Sequence, residues 1–395
     1  MPTTAAGVSR RGFATVTGVF ALFLCAGGAP TPLYGVYAER WHFGAGLLTV
    51  VFAVYAVALL GALLLFGNLS DAVGRRPVLL AATGLLVLSL LTFVAADDIT
   101  LLLVARVDQG FATGLMTAAA SATMLDFEPA RRPGLAALAN VVTAMGGQTL
   151  GTLFAGALVQ YGPQPTRLVY VLLSLLGIGC GVAIYLAVPE PLEGRKPFAL
   201  SVRVRVPHEI RPAFLAALPC LIATWALSSL YLSLGPDLVL ALDHSSNRLV
   251  SVSASALLLG SGTVSAVAAR KRTPRARMLG GCAALATGSG LTVAALAEQN
   301  TPIFYLSILV AGLGFGTAFS GALQTLVSLA GSEDRGALTA AVYVVAYASF
   351  SVPAVIAGVA TTSAGLIPTA EVYSTAIALL AAAAFVATRQ TAGAR

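Results

Sequence analysis

Long apolar runs recur along the chain, separated by short polar stretches. They predict helical spans near residues 14–38, 46–68, 77–96, 100–125, 133–160, 167–188, 212–242, 247–269, 276–298, 302–330, 335–362 and 369–388. A bilayer core of about 30 Å needs roughly 20 residues of helix, so these runs are long enough to span it. Repeated apolar runs of about 18 or more residues are the direct signature of helices that cross a bilayer. Connections are short except from Pro189 to Arg211, a stretch holding Glu190, Glu193, Arg195, Lys196, Arg203, Arg205, His208, Glu209 and Arg211. That linker sorts the spans six and six, which predicts units at residues 1–188 and 212–395 joined by residues 189–211.

Composition agrees with this pattern. The chain of 395 residues is 57% hydrophobic and 10% charged, against about 25% charge in a soluble domain. The expected class is therefore an all-α membrane protein in contact with the lipid bilayer. The net charge of +7 does not imply a nucleic-acid partner, because the basic residues sit in short loops where they act as topology signals. With the N-terminus placed inside, 19 of the 23 Lys and Arg residues fall on inner segments, three (Arg40, Arg167, Arg248) on outer loops and Arg106 within a span. This bias predicts both termini in the cytoplasm and a multi-pass protein of the cytoplasmic (inner) membrane. Ser9-Arg10-Arg11-Gly12-Phe13 resembles an export signal, but the arginines also serve as anchors of a retained first helix, which is the expectation adopted. Cys25, Cys180, Cys220 and Cys282 all lie in apolar runs without metal-ligand or disulfide spacing, so helix packing is their expected role.

The halves repeat. At an offset of 204, Pro32 matches Pro236, Glu39 matches Asp243, Thr83-Gly84 matches Thr287-Gly288, and Gly110, Phe111 and Thr113 match Gly314, Phe315 and Thr317. After a two-residue slip, Gly134 matches Gly336 and Ala155-Gly156 matches Ala357-Gly358. Two parallel repeats of six helices predict a binding site near the midplane between them.

The loop between spans two and three reads Gly67-Asn68-Leu69-Ser70-Asp71-Ala72-Val73-Gly74-Arg75-Arg76-Pro77. It resembles the signature loop of the major facilitator superfamily, with Ala72 in place of the usual basic residue. The resemblance implies a twelve-helix carrier of two six-helix bundles, with this loop as a conformational gate. Gly67 is expected to let two helices approach closely. Asp71 would sit near the start of span eleven, around Arg335-Gly336, where the helix dipole favours negative charge. Arg75 would pair with Asp71 and with Asp126 at the end of span four, and Gly74 and Arg76 complete the motif. A plain topology signal explains the arginines but not Asp71 between its glycines.

Span four contains Arg106-Val107-Asp108-Gln109-Gly110, which resembles a second motif of the same family linked to proton coupling. Arg106, Gln109, Gly110 and Thr113 share one helical face. A charge buried in a span faces a cavity or a partner, so Arg106 is read either as a coupling charge or as a brace between helices. Asp108 lies about 200° around the helix from Arg106. It and Asp237, near the outer end of span seven, are candidate proton or cation sites, with a plain polar contact as the alternative for Asp108. Span five carries Gly146-Gly147-Gln148-Thr149-Leu150-Gly151 but lacks the Gly-Pro pair common in antiporters of the family. Pro353 lies instead in span eleven.

The resemblance assigns cavity roles to spans 1, 4, 7 and 10, with contributions from 2, 5, 8 and 11. Those spans supply Tyr34, Tyr37, Phe52, Tyr55, Met116, Asn140, Gln148, Trp225, Tyr231, Phe315, Phe319, Gln324, Tyr343, Tyr347 and Phe350. A lining so aromatic and so poor in charge suits lipophilic or weakly cationic small molecules, though about half of these rings are expected to pack between helices. The expected function is alternating-access export of drug-like or natural-product-like compounds in exchange for protons, by a monomer without cofactor or metal. Import or facilitated passage of a small metabolite is the alternative. Nothing in the chain has the spacing of a nucleotide loop or a nucleophile–base pair, so an enzyme is not expected.

Overall fold

A computed structural model describes residues 3–129, 132, 134–189, 204–244, 247–331 and 334–390; of the linker, residues 190–203 lie outside the described residues. The helices are α1 (Thr3–Gly28), α2 (Tyr34–Trp41), α3 (Ala45–Phe66), α4 (Leu69–Val73), α5 (Arg75–Ala95), α6 (Ile99–Asp126), α7 (Leu135–Tyr161) and α8 (Pro165–Ala187). They continue as α9 (Arg211–Ser233), α10 (Gly235–Asp243), α11 (Arg248–Ser251), α12 (Ser253–Ala268), α13 (Pro274–Ala297), α14 (Thr301–Leu329), α15 (Arg335–Ala364) and α16 (Leu366–Gln390). Among the described residues there is no strand, and 11 helical stretches are long and apolar enough to cross a membrane. The twelfth place falls to the shorter pair α11 and α12.

Three of the twelve spans are interrupted where the sequence predicts single helices. The first breaks after Gly28 into a 3-10 turn, Thr31–Leu33, before α2. The seventh breaks at Leu234 between α9 and α10. Pro32 and Pro236, partners in the repeat, sit at these two breaks, and each removes a backbone donor that a continuous helix needs. The eighth breaks at Val252, where Asn247 caps α11 by accepting from the backbone N–H groups of Leu249 (2.9 Å) and Val250 (3.3 Å). At three other helix starts the cap is a side chain: Asp98, Thr273 and Asn300 accept from N–H groups in the first turns of α6, α13 and α14.

Two compact units emerge, residues 1–37 with 54–202, and residues 38–53 with 203–395. In the first, small residues set the helix spacing. A Cβ at Gly151 of α7 would overlap the Cys25 carbonyl oxygen of α1, and one at Gly147 would lie 2.7 Å from the Ala21 carbonyl oxygen. The glycine stretch of span five is thus the seat of α1. Gly110 and Gly114 of α6 seat α3 in the same way, against the carbonyls of Tyr55 and Leu59. In the second unit, Gly281 and Gly288 of α13 lie against the backbone of Ala318 and Ala311 in α14, and Gly312 and Gly316 of α14 lie against α12.

The second unit includes the end of α2 and the start of α3. There Glu39 and Arg248 form an ion pair at 2.5 Å, Phe52 stacks on Phe350 with centroids 4.8 Å apart, and Gly358 gives room for the Thr49 side chain.

Candidate functional site

In the first unit, the loop from Gly67 to Pro77 folds as the short helix α4, a turn at Gly74 and the start of α5. Gly74 has φ 113° and ψ 154°, a region essentially reserved for glycine. The turn points the Arg75 side chain back over α4. Arg75 holds Asp71 at 2.5 Å and Asp126 at 2.9 Å, and donates to the Ser70 hydroxyl at 2.6 Å. Three acceptors from α4 and α6 therefore converge on one guanidinium. The neighbouring Arg76 lies over the Tyr185 ring of α8, 3.9 Å from its centroid. Gly67 differs from expectation. Its Cβ position is crowded by the Leu63 carbonyl one turn back and not by a second helix, because α3 ends at Phe66 and the chain folds over its last turn. In the second unit Arg335, at the start of α15, donates to the Ala330 carbonyl at 3.2 Å.

The second locus of the first unit is the buried face of α6. Arg106 is 1% exposed and Gln109 and Thr113 are fully buried. Arg106 donates to Gln109 Oε1 at 2.5 Å, and Gln109 Nε2 donates to the Ala26 carbonyl of α1 at 2.9 Å. The guanidinium lies 4.2 Å from the Tyr55 ring centroid and 6.0 Å from that of Tyr34. Amide and π contacts are thus among those that hold the charge. Tyr37 and Tyr170 meet through their hydroxyls at 3.3 Å, and Tyr170 stacks on Phe93 at 4.5 Å. Asp108 is half-buried beside exposed Val104 and Val107, away from the Arg106 face. Met116 is fully buried. Asn140 of α7 accepts from Ser121 at 2.8 Å, and Gln148 backs onto Gly28 of α1.

In the second unit, Trp225 of α9 is the hub of an aromatic cluster. Its ring meets Phe319 edge-on at 5.4 Å, Tyr347 at 5.0 Å and Phe350 edge-on at 6.0 Å. Tyr343 joins through Tyr347 at 6.2 Å and Phe319 at 6.4 Å. Tyr343, Tyr347 and Phe350 fall within an arc of about 60° around α15, and exposed Val352, Ile356 and Val359 lie on the opposite side. The half-buried tyrosines are thus turned away from the aliphatic face of their helix. Ser229 donates to the Phe350 carbonyl at 2.5 Å, one turn before Pro353, which interrupts the α15 hydrogen-bond ladder. Three candidates lie apart from the cluster. Tyr231 is fully buried and shares a hydrogen bond with Thr292 at 2.7 Å. Phe315 is buried. Gln324 accepts from Arg277. Asp237, a candidate proton site and not part of that lining, is exposed on α10 beside half-buried Pro236 and buried Leu238.

Several partners escaped the sequence reading. Ser70 lies inside the motif and could have been suspected from its polarity. Tyr185, the Ala26 carbonyl and the Glu39–Arg248 pair, 209 residues apart, carry no local signal.

Helices built this way, two charge clusters on one six-helix unit and an aromatic cluster on the other define a multi-pass membrane carrier. The chain belongs to the Major Facilitator Superfamily, whose family model matches residues 15–354, and members of that family are transporters of small molecules rather than enzymes. Solved structures share the fold. The human organic anion transporter MFSD10 (TETRAN) matches with a TM-score of 0.72 at 17% identity, over 95% of this chain and 99% of that chain. A bacterial homolog of the human lysosomal transporter Spinster, inward-facing and unoccupied, matches with a TM-score of 0.77 at 13% identity, over 98% of both chains. A search of curated protein sequences returns no significant match.

Proposed function

We propose that this transporter works by alternating access, exporting lipophilic or weakly cationic drug-like or natural-product-like molecules in exchange for protons. It does so as a monomer in the cytoplasmic membrane with both termini inside. The observation that carries the cargo is the aromatic cluster around Trp225, whose rings turn away from the aliphatic face of α15. Aromatic faces bind cations and flat apolar molecules without demanding a fixed hydrogen-bond pattern. Arg106 supports the coupling: a buried cation held by amide and π contacts biases the protonation of any acid that enters its neighbourhood. In proteoliposomes with an imposed pH gradient, the purified protein should move a lipophilic cationic dye against its concentration. Equal dye movement with the gradient collapsed would remove the proton from the cycle.

The Arg75 cluster supports the gate. Its members are partly exposed, with side-chain exposure of 22% for Arg75 and 39% and 51% for Asp71 and Asp126. Such pairs add roughly 0–1 kcal/mol to stability, so their conformational role outweighs their structural one. Asp71→Asn should leave the melting temperature nearly unchanged. It should slow turnover about tenfold, within the range of about 5–150-fold for a coupling of about 1–3 kcal/mol. Wild-type turnover would show that the cluster stabilises no state of the cycle.

Arg106 also favours a second reading, transport of an organic anion, as in the human neighbour MFSD10. A fluorescent carboxylate run beside the cationic dye separates the two; saturable transport of the carboxylate alone would replace the first reading.

A further inference from the structure

The hub of the aromatic cluster carries an unused donor. Trp225 Nε1 is shut off from solvent and has no hydrogen-bond partner among the described residues. An indole N–H left in that state loses its water without recompense, and buried donors are rarely left so. Tyr231 and Ser229, on the same helix, both find partners at 2.5–2.7 Å. The exception on α9 therefore falls in the middle of the rings that the proposed function assigns to cargo. Phe319 and Tyr347 lie against the indole at 5.4 and 5.0 Å and are half-exposed.

We infer that Trp225 Nε1–H is a specificity determinant that reads a hydrogen-bond acceptor on a flat aromatic ligand held between Phe319, Tyr343, Tyr347 and Phe350. This rests on the reading of the cluster as a cargo site and narrows it. The preferred molecules are planar aromatics bearing a carbonyl or ether oxygen, not aromatic hydrocarbons as such. The rings supply stacking area and tolerate many shapes. The indole supplies a directional contact, and a site with a buried donor discriminates against an analogue that leaves the donor unpaired. No formal charge on the ligand is required for this contact.

The test uses 9-fluorenone and fluorene, which share a planar tricyclic frame and differ at the ketone. The protein is placed in lipid nanodiscs, with empty nanodiscs as the blank for partitioning, and carries Trp41→Phe so that Trp225 is the single indole of the two in the chain. Fluorenone should bind about tenfold more tightly than fluorene, the ratio expected for one buried hydrogen bond of about 1.4 kcal/mol. Trp225→Phe keeps a ring and removes the N–H. It should lower fluorenone affinity about tenfold, leave fluorene within about twofold, and erase the preference. The indole ¹⁵N–¹H resonance of Trp225 should move downfield with fluorenone and not with fluorene, a readout that needs no variant at this position. Equal binding of the two probes, binding of neither, a preference that survives Trp225→Phe, or an unmoved resonance would each overturn the inference. No gradient enters this assay. Gradient-independent dye transport would thus defeat the coupling and leave the indole contact standing, whereas equal probe binding would defeat the contact and leave coupled transport standing.

Discussion

Arg106→Ala is expected to abolish gradient-driven transport while moving the melting temperature by only a few degrees. The argument is one of opposing magnitudes. Removing the side chain loses a charged hydrogen bond to Gln109, about 1.5–3 kcal/mol, and a desolvated cation–π contact with Tyr55, about 2 kcal/mol. It also relieves the cost of holding a charge that is 1% exposed, which is several kcal/mol. The two sides oppose each other in stability. Nothing cancels in function under the proposed coupling, which assigns the bias on protonation to this charge. Arg106→Lys keeps a charge on a shorter reach and loses the planar face over Tyr55, so it should retain part of the transport and shift its pH profile. Gradient-driven dye flux and thermal unfolding, measured on the same preparations, check both variants. If Arg106→Ala melts far below the native protein and its residual transport merely tracks the folded fraction, the arginine is a brace between α6 and α1 through Gln109 and Ala26.

What was legible in the sequence follows from the range of the physics involved. Spans were readable because a bilayer imposes a length and an apolarity that each run must meet alone. The Arg75 cluster was readable because Asp71 and Arg75 are a helical turn apart and the motif is contiguous. The breaks at Thr31–Leu33 and Leu234 were present as Pro32 and Pro236. Apolar periodicity masked them, since each proline sits in an otherwise unbroken run. Contacts decided by packing between distant segments were out of reach. Phe52 stacks on Phe350, and Glu39 meets Arg248, and neither residue of these pairs differs in type from neighbours that make no such contact. The orphan indole is the extreme case, because a tryptophan in a span says nothing about whether its N–H is satisfied.

Gly151→Ala is expected to cost more stability than any other single methyl added to the first unit. A Cβ there overlaps the Cys25 carbonyl oxygen, with the Cys25 carbonyl carbon and Cα also too close. The obstacle is backbone, so no side-chain rotation relieves it. α1 and α7 must move apart, and that separation strips neighbouring contacts: Gly147 from Ala21 and Gly28 from Gln148 and Thr152. Overpacking of a core by one methyl costs about 1–3 kcal/mol when side chains can yield; a rigid helix pair should exceed that. Gly179→Ala in α8 is the matched control, since a Cβ there meets nothing within 4 Å. It should be stabilising by about 0.5–1 kcal/mol, through the lower conformational freedom of alanine in the unfolded chain. Thermal unfolding in one detergent, read by size-exclusion recovery after heating, ranks the three proteins. The expected order is Gly179→Ala above native and Gly151→Ala far below. A Gly151→Ala protein as stable as native would mean that α1 and α7 are not packed backbone to backbone. The glycine run in span five would then be free to serve the transport cycle, even without the Gly-Pro pair of the family's antiporters, rather than being committed to holding the bundle together.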